Sequence, residues 1–278
     1  MAYPLVSIII PAFNEQNVIE RLLLSINNKT YKNTETIVID DNSSDKTLEV
    51  AKKYTKKAYK QKHAERSVQR NYGASVATGK YLLFLDADME LTPKVVEQCV
   101  QVAEKSLNVG CVVIPETPVA RSFWEKIKAF ERDLYNKFGD EFTDAARFFP
   151  KTVFNEVGGY DEKITGPEDW DLPETIKKKG YACIRIDSRI LHHERVPSLL
   201  KLAKKKFYYA LKTSVYLEKH GISPFSAKTV YFLRPVFYKQ WRELLTHPVL
   251  TFWMFLMLSI EGLAGLAGFI WGKYFSKI

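Results

Sequence analysis

Apolar and polar positions change period in a regular order over the first 115 residues. The runs "LVSIII", "ETIVID" and "YLLFL" are rich in aliphatic and β-branched residues and lack a polar face. They read as strands buried on both sides, as in a parallel sheet, with Pro11 expected to stop the first. Between the runs, apolar residues recur at helical spacing. Val18, Ile19, Leu22, Leu23 and Ile26 share one face of a helix that Asn14 or Asn17 would cap. A second helix follows "DDNSSDKT", capped by Ser44 or Asp45, and a third covers "SVQRNYGASVATG" and ends near Gly79. A fourth starts with Thr92 as cap and Pro93 in its first position. "VGCVVIPE" adds a further strand. Strands alternating with helices predict an α/β fold built on a parallel sheet.

Past residue 115 the alternation lapses. "RSFWEKIKAFERDLYNKFG" has the pattern of a helix. So has "EDWDLPETIKKKG", with acids in its first turn and lysines in its last, matching the helix dipole. "YACIRIDSRILHHE" returns to strand. From residue 199 the character changes. "LLKLAKKKFYYALKTSVYLEKHG" is basic, aromatic and roughly amphipathic, suited to a membrane surface. Pro248 to Gly272 then carries one charge, Glu261, over a length sufficient to cross a bilayer, which takes about 20 apolar residues. Gly262, Gly265 and Gly268 with Ala264 and Ala267 form a small-residue face for close helix packing. A glutamate midway is costly in hydrocarbon, so a full crossing stays open beside a buried core helix or two short ones. The pattern divides the chain into segments 1–115, 116–198 and 199–278, the last membrane-associated.

Charge adds a class of partner. The 278 residues hold 41 Lys+Arg against 32 Asp+Glu, a net charge of +9. A nucleotide, a nucleic acid or an anionic lipid surface would answer it. The lysines cluster beside the apolar tail, which favours the membrane over nucleic acid. Cys99, Cys111 and Cys183 form no CxxC pair and are expected as buried thiols of a reducing compartment. The opening "MAYPLVS" lacks a basic region and a cleavage site, and reads as the start of the fold rather than a secretion signal.

Candidate chemistry gathers at the strand ends. Asn14 and Glu15 follow the first strand, Asp40 and Asp41 the second, Asp86 and Asp88 the third. In open α/β sheets ligands bind outside the carboxyl ends of the strands, so these groups are expected to line one cleft. Asp86 and Asp88 lie two apart, hence on one side of an extended chain, where two carboxylates invite a divalent cation. Hard oxygen ligands suit Mg²⁺ or Mn²⁺ shared with substrate phosphates.

"VSIIIPAFNE", "IVIDDNSSDKT", "RNYGASVATGKYLLFLDADM", "GGYDE" and "GPEDWDL" occur in that order. Together they resemble the motifs of family 2 glycosyltransferases, over roughly residues 4–195. The resemblance implies a Rossmann-like, A-type nucleotide-diphospho-sugar transferase (GT-A) fold, with a mixed central sheet flanked by helices. It implies inverting transfer from a nucleotide-diphospho-sugar, with UDP the expected nucleotide and GDP or another open. By the same resemblance Pro11, Ala12, Asn14 and Glu15 line the nucleotide pocket, and Asp41 hydrogen-bonds the base. Arg70 and Asn71 sit on a helix that covers the nucleotide and phosphates. Asp88 holds the Mg²⁺ or Mn²⁺, Asp86 reaches it through water or the ribose, and His193, slightly ahead of His192, is a further ligand. Asp169 deprotonates the acceptor hydroxyl, Glu168 orients the acceptor and Trp170 forms an aromatic wall. The chain lacks the Q-x-x-R-W of processive synthases, which implies single-sugar transfer. With the apolar tail, this points to a lipid-linked polyprenyl acceptor at the cell membrane, the catalytic part on the cytoplasmic face. A polyprenyl-phosphate acceptor, as in dolichol-phosphate sugar synthases, and a catalytically dead nucleotide-sugar-binding protein are the alternatives. A pyrophosphorylase would want a Gly-rich loop after the first strand, which "PAFNEQN" lacks.

Overall fold

The structure is a computed structural model and describes residues 3–106, 108–137, 139–140 and 144–275. Met1 and Ala2, Phe138 of the helix-patterned stretch, and the end of the tail "KYFSKI" lie outside the described residues. The chain forms two compact units. The first takes 1–117, 145–162 and 169–193, the second 118–144, 163–168 and 194–278. Residues 116–198, expected as one segment, are shared between them.

In chain order the elements begin β1 (Val6–Ala12), α1 (Ile19–Asn27), β2 (Thr34–Asp40), α2 (Thr47–Lys52), β3 (Lys57–Lys60) and α3 (Arg66–Val76). Next come β4 (Tyr81–Phe84), β5 (Met89–Leu91), α4 (Val95–Lys105), β6 (Val109–Val113), β7 (Glu116–Val119) and α5 (Phe123–Asn136). β8 (Ala146–Pro150), α6 (Lys151–Glu156), α7 (Glu168–Lys178), β9 (Ala182–Arg185) and β10 (Ile190–His193) follow. The chain ends in α8 (Leu199–Ala210), α9 (Thr213–His220), α10 (Pro235–Lys239), α11 (Trp241–Thr246) and α12 (Pro248–Tyr274).

The first unit is built on a sheet of order β3-β2-β1-β4-β8-β6-β9. Strands β1 to β4 are parallel; β8 runs antiparallel to both its neighbours, so the sheet is mixed rather than wholly parallel. Side chains alternate across it. Val6, Ile8 and Ile10 join α1 and α4 in one core, while Ile9, Ile37 and Ile39 face α3, α6 and α7 in another. Winding runs outward from β1 to β3 and resumes at β4 on β1's other side. The carboxyl ends of β1 and β4 therefore meet at a switch point, where α/β sheets bind ligands.

Pro11 does not stop β1. β4 pairs with β1 only as far as Ile9, while β2 continues alongside to Ala12. The missing N–H falls where the β4 side has no partner strand, so it costs no ladder bond. α1 and α4 also start later than their cap signals, at Ile19 and Val95. Thr92 spends its hydroxyl on the carbonyl of Arg189 at 2.7 Å instead of capping. β3 and a three-stranded sheet of order β5-β10-β7 were not legible in the pattern. The cysteine expectation is corrected too. Cys111 and Cys183 are register partners on β6 and β9, their Cα atoms 4.6 Å apart, and they form a disulfide. Only Cys99 is a buried free thiol among the described residues.

Glu35 on β2 ties the sheet to the turn before β4. Its carboxylate accepts from Ser7 Oγ at 2.5 Å, from Thr78 N–H at 2.6 Å and from Gly79 N–H at 3.2 Å, and pairs with Lys57. Burial alone would raise its pKa, but these donors outweigh it and bring it down to about 2. A folded-state pKa below the unfolded value adds stability that is present above about pH 4.5 and is lost as pH falls toward 2. Denaturation midpoints should therefore fall over that window, and Glu35→Gln should flatten the fall; an unchanged profile would remove Glu35 from the account.

The second unit is helical. Ser122 and Glu125 form a reciprocal capping box at the start of α5. Its core brings Ile127 and Leu134 of α5 against Val236 and Phe237 of α10 and Met254, Met257 and Leu258 of α12. Glu261, the acid that made a crossing costly, is 1% exposed and meets Lys128 Nζ at 2.9 Å and Lys206 Nζ at 3.1 Å. Gly166, with φ +99°, passes so close to α8 that a Cβ there would lie 2.9 Å from Tyr209 Cβ.

Candidate active site

The two aspartates after β4 do not share one extended face. The strand ends at Phe84, and Met89 N–H closes a turn on the carbonyl of Asp86 at 3.0 Å. The turn sends the side chains to different partners. Asp86 lies between two buried guanidiniums: Arg70 Nη2 donates to Oδ1 at 3.0 Å and Arg147 Nη1 to Oδ2 at 3.4 Å. Burial pushes the Asp86 carboxyl up, but Arg70 and Arg147 outweigh it and hold it well below the usual carboxylate range.

Arg70, 1% exposed on α3, is the hinge of the site. Its other nitrogen, Nη1, donates to Asp169 Oδ1 at 2.6 Å, and its plane lies 5.0 Å from the Tyr160 ring centroid. Asp86 and Asp169, 83 positions apart in sequence, are thus bridged by one side chain. Asp169 sits in the first turn of α7. Pro173 within that helix has no N–H to give the carbonyl of Asp169, which loosens the backbone where the carboxylate is presented.

Asp88 belongs to a second chain of contacts. His192 Nε2 stands 3.6 Å from Asp88 Oδ1, too far for a good hydrogen bond. The other ring nitrogen, Nδ1, lies 2.7 Å from Glu116 Oε2. Glu116 in turn takes Nε and Nη2 of Arg147 at 3.1 and 2.6 Å. His193, favoured over His192 from sequence, is turned away and contacts Glu90 Oε2 at 3.1 Å. Neighbours on a strand point to opposite faces, and the register that pairs His192 with Met89 turns His192 toward Asp88.

This donor set fits a divalent cation of the Mg²⁺ or Mn²⁺ kind. Among the described residues no three His, Cys, Asp or Glu side chains form a metal cage. The protein would supply Asp88 and His192, leaving the other positions to diphosphate and water, as Mg²⁺ prefers. A proton on Nδ1 donated to Glu116 would leave Nε2, on the Asp88 side, for the cation, the carboxylate–histidine arrangement that orients a metal ligand.

At the end of β1 the predicted nucleotide residues are laced to the loop after β2. Asn14, at φ +54°, accepts from Ser44 N–H at 2.9 Å and donates its own N–H to Ser43 Oγ at 3.0 Å. Glu15 N–H donates to Thr47 Oγ1 at 2.7 Å. Pro11 is half-buried and Ala12 buried in the strand end. The Asp41 carboxylate accepts from Ala64 N–H at 2.9 Å, meets His63 Nδ1 at 2.8 Å and also holds Gln69. Phe13, half exposed, lies 4.9 Å from the His63 ring. Asn71, next to Arg70, faces away from the carboxylates. It bonds the carbonyl of Tyr160 at 2.8 Å and Glu162 Oε1 at 3.0 Å, fixing the loop after Gly158–Gly159. Trp170 is half-buried in the first turn of α7, and Glu168 at its head is buried.

Arg147, Glu116 and His192 were missed or ranked second in the sequence. The one signal for Arg147 is a charged residue inside the apolar run "ARFF", which a buried strand tolerates only with a partner.

The family model described as "Glycosyl transferase family 2" matches residues 7–159, more than half of the chain. The chain belongs to glycosyl transferase family 2. Its relatives include the glycosyltransferase MJ1057 of Methanocaldococcus jannaschii, 26% identical over 86% of this chain and 87% of that one. A GalNAc(5)-diNAcBac-PP-undecaprenol beta-1,3-glucosyltransferase of Campylobacter jejuni is 31% identical over 64% of this chain and 62% of its own length. An Escherichia coli chondroitin synthase is 26% identical over 80% of this chain, which spans only 34% of that protein. Among solved structures, the mannosyltransferase PcManGT of Pyrobaculum calidifontis, in complex with GDP-Man and Mn²⁺, superposes at TM-score 0.68 and 17% identity. That match covers 98% of this chain and 89% of PcManGT. Staphylococcus aureus TarS 1–349 with UDP-GlcNAc gives 0.59 at 16% identity, over 96% and 81%. The family 2 glycosyltransferase described here thus has the GT-A fold, with its mixed sheet flanked by helices.

Proposed function

We propose that this glycosyltransferase moves one sugar, with inversion, from a nucleotide-diphospho-sugar to the hydroxyl of a lipid-linked acceptor at a membrane surface, with Mg²⁺ or Mn²⁺. The observation that carries the reading is the bridge of Arg70 between Asp169 and Asp86. It ties a carboxylate suited to proton abstraction to the site where a diphosphate would leave.

In this reading the residues act as follows. Arg70 orients Asp169, whose other carboxylate oxygen takes the acceptor's proton as the acceptor hydroxyl oxygen attacks the anomeric carbon and the nucleoside diphosphate leaves from the opposite face. Asp86, engaged by two arginines, holds them in place rather than ligating a cation, and the arginines face the diphosphate. Asp88 and His192 hold the cation, with Glu116 fixing the imidazole. When bound, the cation neutralises charge on the leaving diphosphate. Phe13 and His63, beside Asp41, form a surface for the nucleobase at the end of β1. The structural neighbours hold GDP-Man and UDP-GlcNAc, which supports the donor class and leaves the base to experiment. The Campylobacter jejuni relative, named for a PP-undecaprenol substrate, supports a lipid-linked acceptor. A nucleotide-sugar donor would favour the cytoplasmic face for the catalytic unit; with Cys111 and Cys183 paired, the cysteines no longer support it.

The test is a thermal-shift panel of UDP, GDP, dTDP and CDP, with and without Mn²⁺. Ligand at 100 times its dissociation constant adds about 2.7 kcal/mol, which is readily seen. One nucleotide should shift the folded protein, and only with Mn²⁺; no shift with any would sink the reading. Glu116→Gln should weaken Mn²⁺ binding in the presence of the nucleotide by about 10- to 100-fold, read by Mn²⁺ electron paramagnetic resonance. Unchanged affinity would remove Glu116 as the residue that orients His192.

A further inference from the structure

One helix among the described residues, α12, is long and apolar enough to cross a bilayer. Its packing argues for a different disposition. A Cβ at Gly268 would collide with the carbonyl of Phe207, and one at Gly272 with the carbonyl of Leu211. The two contacts advance together by four residues on each helix. α8 and α12 therefore run side by side in the same direction, backbone against backbone, over that stretch. Glu261 adds ion pairs to Lys206 of α8 and Lys128 of α5. α12 is thus part of the folded core of the second unit.

A crossing α12 would carry α8 into the hydrocarbon with it. α8 exposes Lys201, Lys204 and Lys205. Charged side chains on a lipid-facing surface at bilayer depth are strongly disfavoured. The same lysines are well placed at a headgroup layer, where they meet anionic lipid while their stems lie along apolar surface.

The remaining face of α12 is apolar and exposed. Val249, Phe252, Leu256, Leu263, Leu266 and Ile270 follow one another at helical spacing, each more than a third exposed. At 1.5 Å per residue the stripe is about 32 Å long. Soluble monomers rarely leave so long an apolar strip in water. An exposed apolar strip in a unit that also displays a row of lysines, in a chain of net charge +9, has the complement of an anionic bilayer surface.

We infer that α12 does not cross the membrane: it lies in the plane of an anionic bilayer, its Val249-to-Ile270 stripe among the upper acyl chains and the α8 lysines among the headgroups. This goes beyond the membrane association proposed above by fixing its geometry, and it does not depend on the transfer chemistry.

The experiment uses the full chain with an environment-sensitive fluorophore on a cysteine placed in turn at Leu256, Leu263 and Ile270. Vesicles of phosphatidylcholine and phosphatidylglycerol carry bromine at a shallow or a deep position of the acyl chain. The expected result is the same shallow quenching at all three sites, within about 10 Å of the headgroups. Deep quenching at Leu263 with shallow quenching at the flanking sites would show a crossing helix and overturn the inference. Leu263→Glu with Leu266→Glu should lower vesicle binding by at least 10-fold at unchanged nucleotide and Mn²⁺ affinity, and omitting phosphatidylglycerol should weaken wild-type binding by a similar factor. Wild-type protein that ignores vesicles and is a dimer in solution would assign the stripe to a second copy and overturn the inference. Nucleotide binding reports on the transfer reading and vesicle binding on this one, so either can fail alone.

Discussion

Asp169→Asn is expected to lower kcat by about three orders of magnitude while donor affinity stays within about twofold, since a positioned general base contributes roughly 10²- to 10⁴-fold. The variant is nearly isosteric. Its amide oxygen can still accept from Arg70 Nη1, now 2.6 Å from Oδ1, so the bridge to Asp86 and the shape of the α7 start should survive. What it loses is the capacity to take a proton. Initial rates with saturating donor, set beside nucleotide affinity by calorimetry, separate the two properties. Turnover near wild type would dismiss Asp169 as the base, and loss of donor binding would assign it to the ground state.

Arg70→Met is expected to cost the first unit about 3–5 kcal/mol and to abolish transfer, because breaking a buried ion pair strands its partners. Arg70 is 1% exposed, while the Asp86 and Asp169 side chains are 23% and 22% exposed. Water reaches the carboxylates in part, and Arg147 still faces Asp86, so the lower end of the range applies. Arg70→Lys keeps the charge but has no planar fork to span two carboxylates, and should recover only part of the loss. Urea denaturation followed by circular dichroism and by Trp170, in the first unit, reads the effect. A midpoint equal to wild type for Arg70→Met would show that the bridge contributes nothing to the fold.

The sequence made β1, β2 and β4 legible because aliphatic runs buried on both faces leave no competing assignment. β3, "KAYK", escaped because an edge strand keeps polar side chains, and its pairing with β2 comes from tertiary context. The reversed direction of β8 is invisible in a pattern that reports burial and not polarity of the chain. The sequence set Asn14, Asp41, Asp86 and Asp88 at the strand ends, yet not what each touches. The alternation rule said one of His192 and His193 would face the site; only the register of β10 against β5 says which. Asp86 and Asp88 looked like a pair because the strand was extrapolated two residues past Phe84, where the chain in fact turns. Arg147 shows locally only as a charge inside "ARFF", and nothing in the sequence names Glu116, 31 positions away, as its partner.

The position of β8 has a consequence for how the chain is made. β4 leaves the ribosome with one edge paired to β1 and the other open, and the strand that closes it pairs Leu83 with Phe148. At a synthesis rate of about 5–20 residues per second, that apolar edge waits about 3–13 seconds for its partner. An unpaired edge is a template for association with other chains. The aspartates written at the end of β4 thus emerge early and become a site late, and between the two the nascent protein carries an open strand edge.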